Sequence, residues 1–455
     1  MLPERIIAGA RTVTGVSGHF AQLQEAARRM LGALKVTERG YFTPTEDEEV
    51  RHLLVSYWQS RNALVELIVA FRDDAEIERD YRHSGFLVAF AAALVLVDAG
   101  RFLREHVHHR PIVRAKLNEP EPHFGIPAGT YDTVQASLTR LTHAWHLYQA
   151  GLYYSEHQNE LRELAREPIF APLVEIVDRL APRLEVDIAS YTIARMRTRT
   201  RQLSTAVRRD LLHRALYGLQ KLAGELASNI RVKRSHCPSL PPAVAAALRV
   251  TLRPGDVLIT RKEHALTNYF LPGYWPHAAL FLGDCESLTQ LGIAEHVNLR
   301  PRWSRLLACD AAEPFRVLEA MKDGVWIRSL ASPFAVDAIS VLRPRLAQSE
   351  IAEALSRGLF HEGKAYDFDF DFTRSDRLVC TEVVYRSYEG ISGAHFPLTR
   401  RAGRLTLSAE DLIHMALERN VLEPLAAFSP QHGTVLATGP DAELLLRKTY
   451  RGLAR

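Results

Sequence analysis

Two hydrophobic textures divide the chain. From about residue 17 to 235, apolar residues recur at intervals of three and four, the period of helices with one buried face. In "TEDEEVRHLLVSYWQSRNALVELIVAFRDD" the positions Leu53, Tyr57, Leu64 and Ile68 follow this period. Thr45 reads as the N-cap of that helix, with acids in its first turn. Similar patterns predict helices over 75–105, 131–150, 170–182 and 186–228, and "NEPEPHFGIPA", 118–128, predicts a loop. The longest apolar run, Phe86 to Val97, falls short of the roughly 18 residues that suggest a membrane span, so it predicts a buried helix. No repeat of fixed period appears.

The basic, proline-bearing stretch Arg231 to Ala243 reads as a linker, and strand patterns follow it. "RPGDVLITR" predicts a Pro-Gly turn feeding a strand from Asp256, and "HAALFLGD" predicts a second strand. "RVLEAMKDGVWIRSL" predicts a hairpin turning at Asp323-Gly324, and "VDAISVLRP" a strand stopped by Pro344. Helices are predicted over 348–361 and from Cys380, and "DAELLLRKTY" reads as a short helix near the end. The fold class is therefore α+β: an all-α N-terminal half, then a small antiparallel sheet packed with helices. The expected domains are 1–238, helical; 239–425, the sheet domain; and 426–455, a C-terminal extension.

Composition narrows the function classes. The 455 residues suit two or three domains, and 47% hydrophobic with 24% charged residues describes an ordinary globular protein. A net charge of +4, from 57 basic and 53 acidic residues, is too balanced to argue for nucleic acid. Cys237, Cys285, Cys309 and Cys380 form no C-x-x-C pair and no disulfide framework. The opening "MLPERIIAGARTVTG" lacks the form of a secretory signal, so a reduced, cytoplasmic protein is expected. No G-x-S-x-G elbow or Walker-type glycine loop appears, which disfavours a serine hydrolase and an NTPase.

Three residues stand out against the apolar pattern. Cys380, in "RLVCTEVVYRSYEG", falls at a helix start and shares a side with Val383, Val384 and Ser387. A helix N-terminus and a nearby imidazolium would lower its pKa, whereas a structural cysteine would be buried and inert. His277 heads a strand of otherwise apolar positions. It reads as the partner of a reactive thiol or as a histidine satisfied by a carbonyl. Glu319 alternates with Val317 and Met321, so it either orients His277 or points from an edge strand into water.

Together "RPGDVLITR", "YWPHAALFLG", "VLEA…GV", "GKAYDFDFDF" and "LVCTEVVYRSY" resemble the successive blocks of the YiiX-like permuted papain-fold cysteine hydrolases. These belong to the NlpC-like superfamily and are related to lecithin:retinol acyltransferase. The resemblance covers about Arg253 to Tyr388, with His277 ahead of Cys380, the order circular permutation requires. It implies Cys380 as nucleophile, His277 as base and Glu319 as the polar third member, in a sheet domain of permuted papain-like fold.

The expected activity is cleavage of an amide, ester or thioester, with no cofactor and no metal. The alternatives are an acyltransferase or phospholipid-acting enzyme on the same thiolate, or a non-catalytic protein-binding scaffold. The expected partner is a peptide, lipid or acyl substrate, without nucleic acid or a transmembrane segment and with room for peripheral membrane contact; the oligomeric state is left open. Tyr274, Trp275 and Tyr366 are expected to bind substrate. Four lesser signals complete the reading. Asp367, Asp369 and Asp371 alternate as on a strand face, but lack the glycine and distal glutamate of a calcium loop; they shape the site entrance, or Asp367 caps a turn. His106 and His109 read as a helix C-terminus before a zinc site. Arg195, Arg197, Arg199 and Arg201 read as a solvated surface, and His236 beside Cys237 as linker residues.

Overall fold

The computed structural model describes residues 2–71, 81–121, 124–139, 141–182, 238–262, 273–307, 313–401 and 404–451. The arginines of 195–201, the His236-Cys237 pair, Cys309 and the helix expected over 186–228 lie outside them. The chain divides into two compact units, Met1–Pro122 with Ile126–Arg231 and Val232–Arg455 with His123–Gly125.

The first unit is helical. Its long helices are α1 (Glu4–Ala33), α2 (Pro44–Ala70) and α3 (Arg82–Val107), which pack on one another. Thr43, not Thr45, caps α2: its hydroxyl accepts from the Glu46 N–H while Glu46 reaches back to the Thr43 N–H. Pro44 then occupies the first helical position, where no N–H is needed. In α3, every residue from Ser84 to Leu96 is buried. It is the one helix among the described residues long and apolar enough to cross a membrane, and most of its apolar stretch is buried within the protein. α3 stops at Val107, so His109 lies past the helix and shares no helical face with His106. The His106 ring instead stacks on Phe102 and bonds its carbonyl oxygen.

The second unit begins with a helix the sequence reading did not separate from its linker, α4 (Pro242–Thr251), where Pro242 sits in the first turn ahead of an alanine-rich run. The described residues then form a seven-stranded antiparallel sheet in the order β11-β10-β5-β1-β2-β3-β4. The central strands are β1 (Val257–Arg261), β2 (His277–Gly283), β3 (Arg316–Met321), β4 (Gly324–Ser329) and β5 (Ala338–Pro344). The β3–β4 hairpin turns at the expected place. Gly324 has φ +110, and a Cβ there would lie 2.5 Å from the Lys364 carbonyl oxygen, so glycine is required twice over.

Alternation along β2 sorts side chains into two cores. Ala279 and Phe281 pack with Val244 and Leu248 of α4. Ala278, Leu280 and Leu282 pack with α5 (Gln348–Leu359), α6 (Cys380–Tyr388) and α7 (Ala409–Leu417). Between α5 and α6 run two short parallel strands, β6 (Ala365–Tyr366) and β7 (Arg377–Leu378). A small hairpin, β8 (Thr399–Arg401) with β9 (Arg404–Thr406), precedes α7.

The last segment is part of this core. β10 (Leu422–Phe428) runs across the boundary expected at 425 and pairs with β5. β11 (Ala437–Thr438) and α8 (Pro440–Arg451) follow, and Ala442 and Leu446 are fully buried. The inward face of this stretch is narrow: Ala442, Leu445 and Leu446 join the core, while Leu444 and Tyr450 are exposed.

Candidate active site

Cys380 begins α6. Its N-cap, Val379, makes no side-chain cap, and of the first-turn N–H groups that of Glu382 donates to the Val379 carbonyl oxygen. The backbone N–H groups of Thr381 and of Ala278 on β2 favour the ionised sulfur. Val383, Val384 and Ser387 are buried on the same side, as the helical spacing requires. They anchor the helix and so fix its first residue.

His277 is the first residue of β2, beyond the closed part of both cores. Its side chain is 26% exposed, while the Cys380 residue is 3% exposed and the Glu319 side chain 1%. The ring is therefore the group open to an incoming molecule. Its Nε2 lies 3.0 Å from Oε2 of Glu319, and the imidazole and the Cys380 thiol stand near enough for each to shift the other's ionisation. With Nε2 committed to Glu319, Nδ1 is the nitrogen left for sulfur. The three residues meet, and Glu319 does not point into water.

Electrostatics favours a charged pair. Burial works against imidazolium, but the facing sulfur and the Glu319 carboxylate outweigh it and raise His277 to about 10. Burial likewise pushes the thiol up, and the His277 charge with the Ala278 and Thr381 N–H groups pulls it below its ordinary value. Glu319 loses solvation by burial, yet His277, Arg328 and Ser332 hold it down to about 2.

Arg328 and Ser332 were not singled out from the sequence. Nε of Arg328 is 3.4 Å from Oε1 of Glu319, and the Ser332 hydroxyl donates to the same oxygen. Arg328 is in turn paired with Asp323 at 2.5 Å. A signal for Arg328 was present: in the β3–β4 register Glu319 faces Trp326, which puts Arg328 two residues on along the same face.

The aromatic expectations divide. Tyr366 is half-buried on β6, and burial together with the nearby Cys380 charge raises its hydroxyl well above the usual tyrosine value. Trp275 is fully buried with its indole N–H donated to Thr449, so it has no face for a substrate. Tyr274 is half-buried and its hydroxyl hydrogen-bonds to Ser429. Both sit ahead of β2 as packing residues.

The aspartates of "YDFDFDF" do not line a strand. Asp367 is fully buried and accepts from the N–H groups of Asp369 and Asp371, closing a turn in which Phe370 has φ +53. Among the described residues no group of three or more His, Cys, Asp or Glu side chains is placed to hold a metal. Burial raises Asp367 to about 7 and its neighbour Glu382 to about 8, the latter despite its pair with Arg386.

Comparison with known proteins adds the family. No curated protein and no solved structure matches the chain. Residues 251–436, which span β1 to just short of β11, match the model of the permuted papain-like amidase enzymes, YaeF/YiiX, C92 family. The match supports a permuted papain-like fold of the YaeF/YiiX kind for this segment, and the family it matches is one of amidases.

Proposed function

We propose that the second unit is a cysteine amidase that cleaves an amide bond of peptide type, with Cys380 as nucleophile, His277 as proton carrier and Glu319 as the group that orients His277. The succession of the Cys380 thiol, the His277 ring beside it and a fully buried Glu319 hydrogen-bonded to that ring carries this reading. The thiolate attacks the amide carbonyl carbon, and the carbonyl electron pair moves to oxygen. Backbone N–H groups at the start of α6 hold that oxyanion. Collapse breaks the C–N bond, and the amine leaves with the proton that His277 carried. Water then attacks the thioester as His277 takes its proton, and the acid departs as the thiolate and imidazolium re-form. Tyr366, beside the sulfur and neutral at working pH, contacts the substrate near the scissile bond.

The test is turnover of a panel of blocked dipeptide anilides, with intact-mass analysis at short times. The expected result is a burst of aniline matched by an acyl adduct on Cys380, both absent in Cys380→Ala. Turnover that survives Cys380→Ala overturns the proposal.

A further inference from the structure

The turn that delivers His277 to the site is held from behind by a carboxylate with no part in the reaction above. Gly273, Tyr274 and Trp275 lead through Pro276 into β2. The N–H groups of Tyr274 and Trp275 both donate to one oxygen, Oε1 of Glu410, at 2.5 and 3.0 Å. Glu410 is the second residue of α7, whose own N-terminus is closed by Ser408 and Asp411 in a capping box. It is thus free of the usual duty of a first-turn acid and is turned inward, 8% exposed.

The fit is close. Gly273 has φ +128, and a Cβ there would stand 2.0 Å from the Glu410 Cγ. Other elements tie down Tyr274 and Trp275. Arg261 of β1 donates to the Tyr274 carbonyl oxygen at 2.7 Å and lies over its ring, 4.4 Å from the centroid. The Tyr274 hydroxyl bonds Ser429 at 2.8 Å, and the Trp275 indole donates to Thr449 of α8 at 3.1 Å. Side chains brace the turn on several sides, but only Glu410 takes up both of these backbone N–H groups, two and three residues before His277.

We propose that Glu410 is a positioning residue, whose Oε1 fixes the Tyr274–Trp275 backbone and thereby sets where the His277 ring stands against the Cys380 sulfur. The inference rests on Cys380 and His277 being the reacting pair. A displacement of about 1 Å at such a pair costs on the order of 100-fold in rate. What matters in Glu410 is acceptor geometry and not charge. Both N–H groups go to one oxygen, which a glutamine amide also supplies, and burial lifts the carboxyl to about 7, so it is no fixed anion.

The experiment uses the full chain and iodoacetamide, with alkylation of Cys380 followed by mass spectrometry from pH 4 to 10. It compares wild type, Glu410→Ala, Glu410→Gln and His277→Ala. Glu410→Ala is expected to move the alkylation midpoint up toward that of His277→Ala, and Glu410→Gln to keep the wild-type midpoint. If Glu410→Ala does not fold, Glu410→Asp, which retracts the acceptor by one methylene, is expected to give an intermediate midpoint. A wild-type midpoint in Glu410→Ala, or in Glu410→Asp where that variant stands in, overturns the inference; so does a Gln variant as impaired as the Ala variant. If His277→Ala itself keeps the wild-type midpoint, the pairing with Cys380 fails, which is a different outcome from failure of Glu410 alone.

Discussion

The two units bury polar groups in opposite ways. In the helical unit the polar residues buried mid-helix in α2 are mostly neutral, Ser56, Gln59, Ser60 and Asn62, with Arg61 as the charged member, and the central run of α3 is apolar throughout. The carboxylates buried in the sheet unit include Asp256, Glu319, Asp367, Glu382 and Glu410. Each is held by hydrogen bonds, which is the condition for a carboxylate to remain inside. Four of them are nonetheless pushed upward, Asp256 even with Arg343 beside it. Only Glu319 is driven down, because a protonated imidazole and a guanidinium both face it. Burial alone therefore does not set Glu319 apart, whereas burial against cationic partners that lead to a thiol does.

The largest effect that tests this contrast is Cys380→Ala. It should abolish amidase turnover, by at least about 10⁴-fold, with the thermal midpoint nearly unchanged. Next comes His277→Ala, expected to cost about 10²- to 10⁴-fold in kcat with a smaller change in KM. Glu319→Gln should cost less and should also move the pH profile. In wild type, activity should fall at high pH as His277, raised to about 10, loses its proton. Removing the carboxylate removes a cause of that elevation, so the alkaline limb should shift to lower pH. A limb that stays in place would separate Glu319 from His277.

Arg328→Met should act through Glu319. Loss of the guanidinium raises the carboxyl from about 2, so the acid limb of activity should move up in pH. Removing one member of a buried ion pair should also cost roughly 3–5 kcal/mol of stability, read by chemical denaturation. The smallest effect on the site is expected from Leu94→Ala in α3. A cavity there should destabilise the protein by about 2–5 kcal/mol while the alkylation midpoint of Cys380 stays put. A shifted midpoint would break the contrast between the two units.

Much of this was legible because periodicity reports burial. The alternation in "HAALFLGD" and the hairpin at Asp323-Gly324 became β2 and the β3–β4 turn, and the spacing after Cys380 gave the buried face of α6. His277 and Glu319 were visible as polar residues out of pattern on such strands. What escaped depended on long-range partners. Trp275 looks like a binding aromatic until Thr449, 174 residues on, is seen to hold its indole. The "YDFDFDF" run alternates like a strand, but the buried Asp367 carboxylate finds its donors in the next four residues, and local hydrogen bonding wins over pairing. The C-terminal segment was undervalued because the period in α8, Ala442, Leu445 and Leu446, marks a buried face without saying which core receives it, and the two-residue β11 is too short to show one.

The central claim is that Cys380 and His277 form a thiolate–imidazolium pair. The most direct measurement is the ultraviolet absorbance of the thiolate, taken as wild type minus Cys380→Ala, across pH in the native protein. The account predicts that the thiolate signal is already present well below the ordinary thiol pKa of about 8.5 and is lost from that range in His277→Ala. A signal that rises only at or above the ordinary value in wild type, unmoved by His277→Ala, would contradict it.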